Sequence, residues 1–203
     1  MILSNPHQTH TIAQIVQTLT ASNATMVEIG AFEGLSTIFL AQDQRIVFAV
    51  DPWHWDSPKY GCEKDVTAIT MREQGGGTVF FHRFCRNVGD KLFSKIFPIR
   101  AYSTEVALIF PYWIDLIFID GEHTYKAVSA DLHAWKRCFK PTTQLVFDDY
   151  SEHFDNGGLK RAIDEFCGAS NLQSFHPDGS IVHCQYKDTD FFKKHYHAHL
   201  SNR

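Results

Sequence analysis

A chain of 203 residues, 44% hydrophobic and 14% aromatic, can bury one substantial core, and its length makes a single domain the default over two independent ones. Its 19 basic residues against 23 acidic ones give a formal net charge of -4, which excludes the global positive field a nucleic-acid backbone needs and favours a small-molecule partner. Five cysteines, at 62, 85, 138, 167 and 184, are an odd and scattered set with no C-x-x-C pair, so neither a disulfide framework nor a zinc site of that kind is expected.

Ile12, Ile15, Val16 and Leu19 fall at i, i+3, i+4 and i+7 and predict an amphipathic packing helix within an N-terminal segment, 1–23. A strand follows at 25–29, a helix at 35–41, a second strand at 46–50 and, after an irregular stretch, a third at 96–102. Within that stretch Trp53, His54, Trp55, Pro58, Tyr60 and the glycines at 75–77 interrupt the pattern, so 52–77 is a candidate lid, with packing against the body as the alternative.

A fourth strand at 114–119 precedes a helix whose face carries Val128, Leu132, Trp135 and Phe139. A fifth strand at 144–147 precedes another helix with Leu159, Ala162, Ile163 and Phe166 on one side, opened by Gly157 and Gly158. Segments 172–175 and 180–186 flank His176-Pro-Asp-Gly179 and read as a hairpin, and 188–203, with Lys193, Lys194, His195, His197 and His199, reads as a solvated tail rather than a metal tract. Helices that separate strands imply parallel pairing. The expected fold is therefore α/β, a Rossmann-like, doubly wound, mostly parallel sheet over 24–187 with an antiparallel C-terminal hairpin strand. Residues 1–10 lack a basic region followed by an apolar stretch, and no run of about 18 apolar residues occurs, so the expectation is a soluble cytoplasmic protein without a membrane partner.

Four of the strand-like runs stop at or beside an acid: Met26-Val-Glu-Ile-Gly30, Val47-Phe-Ala-Val-Asp51, Leu116-Ile-Phe-Ile-Asp120 and Leu145-Val-Phe-Asp-Asp149. In open α/β sheets ligands bind beyond the carboxyl ends of the strands, which predicts one shared site. Gly30 and Gly34 would let backbone approach a ligand closely, or simply form a tight strand-to-helix turn. Asp51, 21 residues after Gly30, is placed to accept hydrogen bonds from ribose hydroxyls, or else to cap the turn before Pro52. The G-x-G-x-x-G cradle of dinucleotide folds is missing, since Ala31-Phe32-Glu33 follows Gly30, and Glu33 would repel a diphosphate.

From Ala24 to Tyr186 the chain resembles class I S-adenosylmethionine-dependent methyltransferases, in particular small bacterial O-methylating members. The resemblance rests on Val27-Glu-Ile-Gly-Ala-Phe-Glu-Gly-Leu-Ser36, Val50-Asp-Pro-Trp53, Ser103-Thr-Glu-Val-Ala107, Phe118-Ile-Asp-Gly-Glu-His-Thr-Tyr125 and Val146-Phe-Asp-Asp-Tyr150, with the closing hairpin. It implies S-adenosyl-L-methionine as cofactor, with Glu28, Gly30 and Gly34 bordering its methionine and ribose part and Asp51 taking the ribose hydroxyls. Asp120 would also line that pocket, and Ser103 would lie near the adenine unless it serves as a helix N-cap. It also allows a homodimer.

Asp120, Asp148 and Asp149 would crowd three carboxylates into one crevice. Such a cluster raises some of its pKa values or binds a hard cation, for which oxygen ligands favour magnesium, calcium or manganese over zinc. Adjacent strand residues point to opposite faces, so Asp148 and Asp149 can share a metal only if the strand has ended. The catechol and macrolide-sugar O-methyltransferases that the chain resembles carry metal-ligating acids in this order, and the 28 positions from Asp120 to Asp148 match their spacing. The resemblance thus implies a divalent cation, magnesium first, held by Asp120, Asp148 and Asp149. The catechol type has Asp-Asn where this chain has Asp148-Asp149, and a lysine where it has His123. His123 is a candidate general base, metal ligand or loop residue. His54 is the one further histidine expected near substrate.

The expected reaction is methyl transfer to a hydroxyl of a small molecule, with His123 and Asp120 as catalytic residues. An NAD-type oxidoreductase and a non-catalytic cofactor-binding protein are the rivals. Nucleic acid is disfavoured as substrate, because Ile119-Asp-Gly-Glu122 lacks the Pro-Pro-aromatic motif of amino-directed enzymes.

Overall fold

A computed structural model describes residues 6–54, 76–174 and 180–187. The chain begins with α1 (Pro6–Leu19), then alternates β1 (Thr25–Ile29), α2 (Leu35–Leu40), β2 (Ile46–Val50), α3 (Gly76–Val88), β3 (Ile96–Ile99), α4 (Ser103–Ile109), β4 (Ile114–Ile119), α5 (Tyr125–Trp135), β5 (Phe139–Phe147) and α6 (Gly158–Cys167). Two short strands, β6 (Gln173–Ser174) and β7 (Val182–Gln185), complete it. The seven strands lie in the order β3-β2-β1-β4-β5-β7-β6. Those from β1 to β5 are parallel, and β7 runs antiparallel to both β5 and β6. This is the doubly wound sheet with an antiparallel closing strand that the alternation of elements predicts.

Side-chain alternation divides the core into two halves. Met26, Val47, Ala49, Leu116, Phe118 and Val146 face one side, where Ile12, Ile15 and Val16 of α1, Leu40 of α2 and Phe80, Phe84 and Val88 of α3 cover them. Val27, Ile29, Ile117, Ile119, Leu145 and Phe147 face the other, beneath α4, α5 and α6. Both faces of the central strands are dry, which is why those strands read as unbroken apolar runs.

Several boundaries differ from the sequence reading. Helix α3 occupies part of the stretch read as irregular, and its glycines are used for contact rather than for a loop. A Cβ on Gly77 would lie 1.5 Å from the Trp53 carbonyl oxygen, so only glycine lets the helix approach that backbone. Strand β3 stops at Ile99, not at 102. Phe139, read as the last turn of a helix, is the first residue of β5 and pairs with Ile114, after Lys136–Cys138 close the helix as a 3₁₀ turn. The candidate lid from 55 to 75, the turn at 175–179 and the tail at 188–203 lie outside the described residues. Among the described residues no helix is long and apolar enough to cross a membrane.

Candidate active site

Strand register assembles the site. Ile29 is paired with both Val50 and Ile119, and Ile119 with Phe147, so the next residues on each strand, Gly30, Asp51, Asp120 and Asp148, stand side by side at the carboxyl edge. Backbone bonds extend the ladders into this rim, from Gly30 N to Val50 O (2.9 Å), Asp120 N to Ile29 O (2.9 Å) and Asp148 N to Ile119 O (3.1 Å). The strand order reverses between β1 and β4, the topological switch point at which such sheets bind ligands.

On the β1 side, Glu28 is fully buried and accepts hydrogen bonds from the Ser36 and Thr37 hydroxyls of α2. Burial pushes its carboxyl up to about 7; the two hydroxyls oppose the rise, and the charges of Asp120 and Asp51 add to it. A carboxyl held above its ordinary value of 4.5 in the fold contributes stability that is complete below that pH and is lost as pH climbs towards about 7. We expect Glu28→Gln to remove this dependence, so that above pH 7 the variant is more stable than the parent by about 3 kcal/mol. Urea midpoints measured from pH 4.5 to 8 check this, since parallel curves for the two proteins would show that Glu28 does not titrate in that window.

Asp51, at the end of β2, is buried, and its two carboxylate oxygens accept the backbone N–H of Phe32 (3.0 Å) and of Trp53 (2.6 Å). Both donors have positive φ, 43° and 44°, a conformation that bulky residues adopt only where the surroundings enforce it. Burial raises the Asp51 pKa, the two N–H groups oppose the rise and Asp120 reinforces it. Each oxygen keeps a second lone pair for a ligand hydroxyl. Trp53 itself is core, with Nε1 donating to the Phe32 carbonyl (2.7 Å) and its ring against Phe81 and Phe84. His54 is exposed, its ring 6.3 Å from that of Tyr102.

Gly30 and Gly34 both have positive φ, but the close approach they permit is within the chain. A Cβ on Gly30 would meet the Asp120 carbonyl, and one on Gly34 would meet the Phe84 ring of α3. Glu33, expected to repel phosphate, is paired with Arg83 at 2.9 Å. Ser103 is the first residue of α4, and Tyr102 takes the N-cap position. The Ser103 hydroxyl accepts Trp135 Nε1 (2.7 Å) and bonds to the buried Asp131, tying α4 to α5. Burial lifts Asp131 to about 6, against the pull of Ser103.

On the β4 and β5 side, Asp120, His123 and Asp149 each present a donor atom within 4.8 Å of the others. His123 Nε2 lies 3.0 Å from Asp149 Oδ2 and 3.8 Å from Asp120 Oδ1. That nitrogen is sealed from solvent, yet neither oxygen is aligned with it as a hydrogen-bond partner. Burial alone would lower the imidazole pKa, but the two carboxylates outweigh it and push it up to about 9. Burial likewise raises Asp120, while His123 opposes and Asp149 adds to the rise. The cluster therefore favours positive charge between its acids.

Asp148, expected to be a ligand, is not in this group. It is buried, and its Oδ1 accepts the Asp149 backbone N–H at 2.9 Å. The strand ends at Phe147, and Asp149 turns back with φ 56°, which swings its carboxylate to His123 while Asp148 stays beneath the turn. Because the strand ends before the pair, the condition under which Asp148 and Asp149 could share a cation is met, but the donor atoms that converge within 4.8 Å are those of Asp120, His123 and Asp149. Phe154, absent from the sequence reading, lies over the His123 ring at 4.6 Å. Its one signal in the sequence is a lone aromatic in the polar stretch from Ser151 to Gly158.

A parallel sheet with this switch point, acid-tipped at β1, β2, β4 and β5, defines a class I methyltransferase architecture. Residues 27–150, more than half of the chain, match the family described as methyltransferase domain, and the chain belongs to that family. It is 26% identical over 146 residues to an uncharacterized protein of Acanthamoeba polyphaga mimivirus, a match that covers 71% of this chain and spans 59% of that relative's length. Among solved structures it is similar to the O-methyltransferase NovP, with a TM-score of 0.66 and 17% identity over 90% of this chain and 80% of that one. It is also similar to the O-methyltransferase TomG from Streptomyces achromogenes, solved in complex with SAM, with a TM-score of 0.59 and 13% identity over 92% and 82%. An O-methyltransferase from Bacillus cereus, solved in complex with SAH, matches with a TM-score of 0.55 and 15% identity over 90% and 82%. At such identities the likeness establishes the fold.

Proposed function

We propose that this chain transfers a methyl group from S-adenosylmethionine to a hydroxyl of a small molecule, with a divalent cation, magnesium first, at the acceptor side. The observation that carries the reading is the convergence of Asp120, His123 and Asp149 at the strand rim that also holds Glu28 and Asp51. On this reading 24–187 is the catalytic domain, the protein works in the cytoplasm, and the family likeness allows a homodimer.

The residues fit both groups. The carboxylates of Asp120 and Asp149, converging beside the His123 imidazole, suit a hard cation. The acid-lined rim from Glu28 to Asp120 suits a sulfonium, and Asp51, held by two backbone N–H groups, is oriented for a ribose diol. When bound, S-adenosylmethionine would supply the electrophilic methyl group and the cation would lower the pKa of the acceptor hydroxyl. The protein supplies position and proton handling. Asp120 and Asp149 would hold the cation, and Asp120 lies at the boundary between the cofactor and acceptor sides. The two carboxylates alone hold His123 protonated, with its pKa pushed up to about 9; a cation between them would offset their charge and free Nε2 to take the hydroxyl proton. Phe154 keeps the ring in place.

Calorimetric titration with S-adenosylhomocysteine, followed by a mass-read methylation screen over hydroxylated metabolites with and without chelator, tests this. The expected result is homocysteine-nucleoside binding that is indifferent to chelator and turnover that chelator abolishes and magnesium restores. Binding of NADH in its place would end the reading, and full turnover in chelator would remove the cation from it.

A further inference from the structure

On the far side of the sheet from α3, helix α6 ends over the closing strand. Its sheet-facing positions Leu159, Ala162 and Ile163 are buried, and Phe166 and Cys167 pack on the same core. Cys167 is one helical turn beyond Ile163 and so shares its face. On β7, Val182 and Cys184, and then Tyr186, point into that core from below. The Phe166 and Tyr186 rings stack at 6.4 Å, which fixes the end of the helix above the end of the strand. Cys167 and Cys184, both free thiols, line one surface cleft with these rings, one from the helix and one from the strand beneath it. Cys85 belongs to α3 on the opposite face, and Cys138 sits against the Phe110 carbonyl.

We propose that Cys167 and Cys184 are a modification site, a dithiol that closes reversibly to an intramolecular disulfide between α6 and β7 in exchange with a low-molecular-weight disulfide of the glutathione type. The two differ in ways that assign their roles. Cys184 is the attacking thiol, since its neighbour Cys167 and the Lys187 ammonium lower its pKa against the opposing effect of burial and it lines the cleft, whereas the same pairing and burial raise the pKa of Cys167, which resolves. Lys187 is anchored there by Asn171 at 3.0 Å.

In the first step the Cys184 thiolate bonds to one sulfur of the glutathione disulfide, and the other leaves as thiolate and takes up from solvent the proton that Cys184 had released. In the second, Cys167 sulfur attacks the Cys184 sulfur and expels the remaining glutathione, which takes up the Cys167 proton. Two cysteine thiols are oxidised by two electrons in total, and one external disulfide is reduced to two thiols.

The test uses the full chain, reduced, desalted and equilibrated with glutathione disulfide. Intact mass should fall by about 2 Da, and a non-reducing digest should yield one peptide pair joined through Cys167 and Cys184, which reduced glutathione reopens. Cys167→Ser should instead accumulate one glutathione, a gain of about 305 Da, on Cys184. Glutathione on both cysteines of the parent without a joined peptide, no reaction at either, or a bond to any other cysteine would overturn the proposal. These readouts do not depend on methyl transfer, so they stand or fall apart from the proposed activity.

Discussion

Asp149→Gly is expected to lower methyl transfer at least about a thousand-fold while leaving S-adenosylhomocysteine affinity within a few-fold. Asp149 contributes one of the three converging donors, and its loss leaves Asp120 and His123 facing each other at 3.8 Å without the second carboxylate. Glycine is the informative replacement, because the backbone at 149 has φ 56° and glycine accepts that conformation without strain. Asparagine would keep an oxygen ligand. Glu28 on β1 and Asp51 after β2, which would hold the cofactor, take their hydrogen bonds from Ser36, Thr37, Phe32 and Trp53 and not from the turn at 149. Asp148→Asn, by contrast, retains an oxygen to accept the Asp149 N–H and should keep activity within about ten-fold. Steady-state turnover with saturating magnesium, paired with calorimetric affinity, checks both. Equal losses in the two variants would return Asp148 to the ligand set, and an unimpaired Asp149→Gly would dissolve the cluster's role.

That inversion between neighbours marks the limit of what the sequence could show. Strands buried on both faces leave continuous apolar runs, so β1, β2 and β4 were legible to the residue, and the acids at their tips follow from where the runs stop. Which of Asp148 and Asp149 faces the site depends instead on one backbone dihedral after Phe147, for which a run of two aspartates carries no signal. Helix α3 was missed because its first two residues, Gly76 and Gly77, are glycines, although Phe80, Phe84 and Val88 recur every fourth residue along its buried side. The Gly77 contact with Trp53 is a pairing between distant segments that local propensity cannot anticipate. Ser103 shows the same limitation: its serine-then-glutamate pattern suggests a cap, whereas the tertiary partners Trp135 and Asp131 claim the hydroxyl.

Gly30→Ala should destabilise the fold by about 3–5 kcal/mol and take activity with it. Two costs combine at this position. The φ of 89° is one that an alanine adopts only under strain, worth about 1–2 kcal/mol. The larger cost is steric: the added Cβ would sit 2.0 Å from the Asp120 carbonyl oxygen and 2.8 Å from the Gly121 Cα, both backbone atoms that cannot rotate away. Relief requires the end of β4 to shift, yet that end is pinned by the bond from Asp120 N to Ile29 O at 2.9 Å. Any shift also carries the Asp120 carboxylate away from His123. Gly89 separates the two costs, since its φ of 57° is equally left-handed but nothing lies within 4 Å of a Cβ there. Gly89→Ala should therefore lose only about 1 kcal/mol and no activity. Urea denaturation of both variants, with turnover measured on the folded fraction, gives the comparison. If the two lose the same stability, the backbone of β1 does not abut that of β4 at this point, and the common edge on which Asp51, Asp120 and Asp149 depend loses its support.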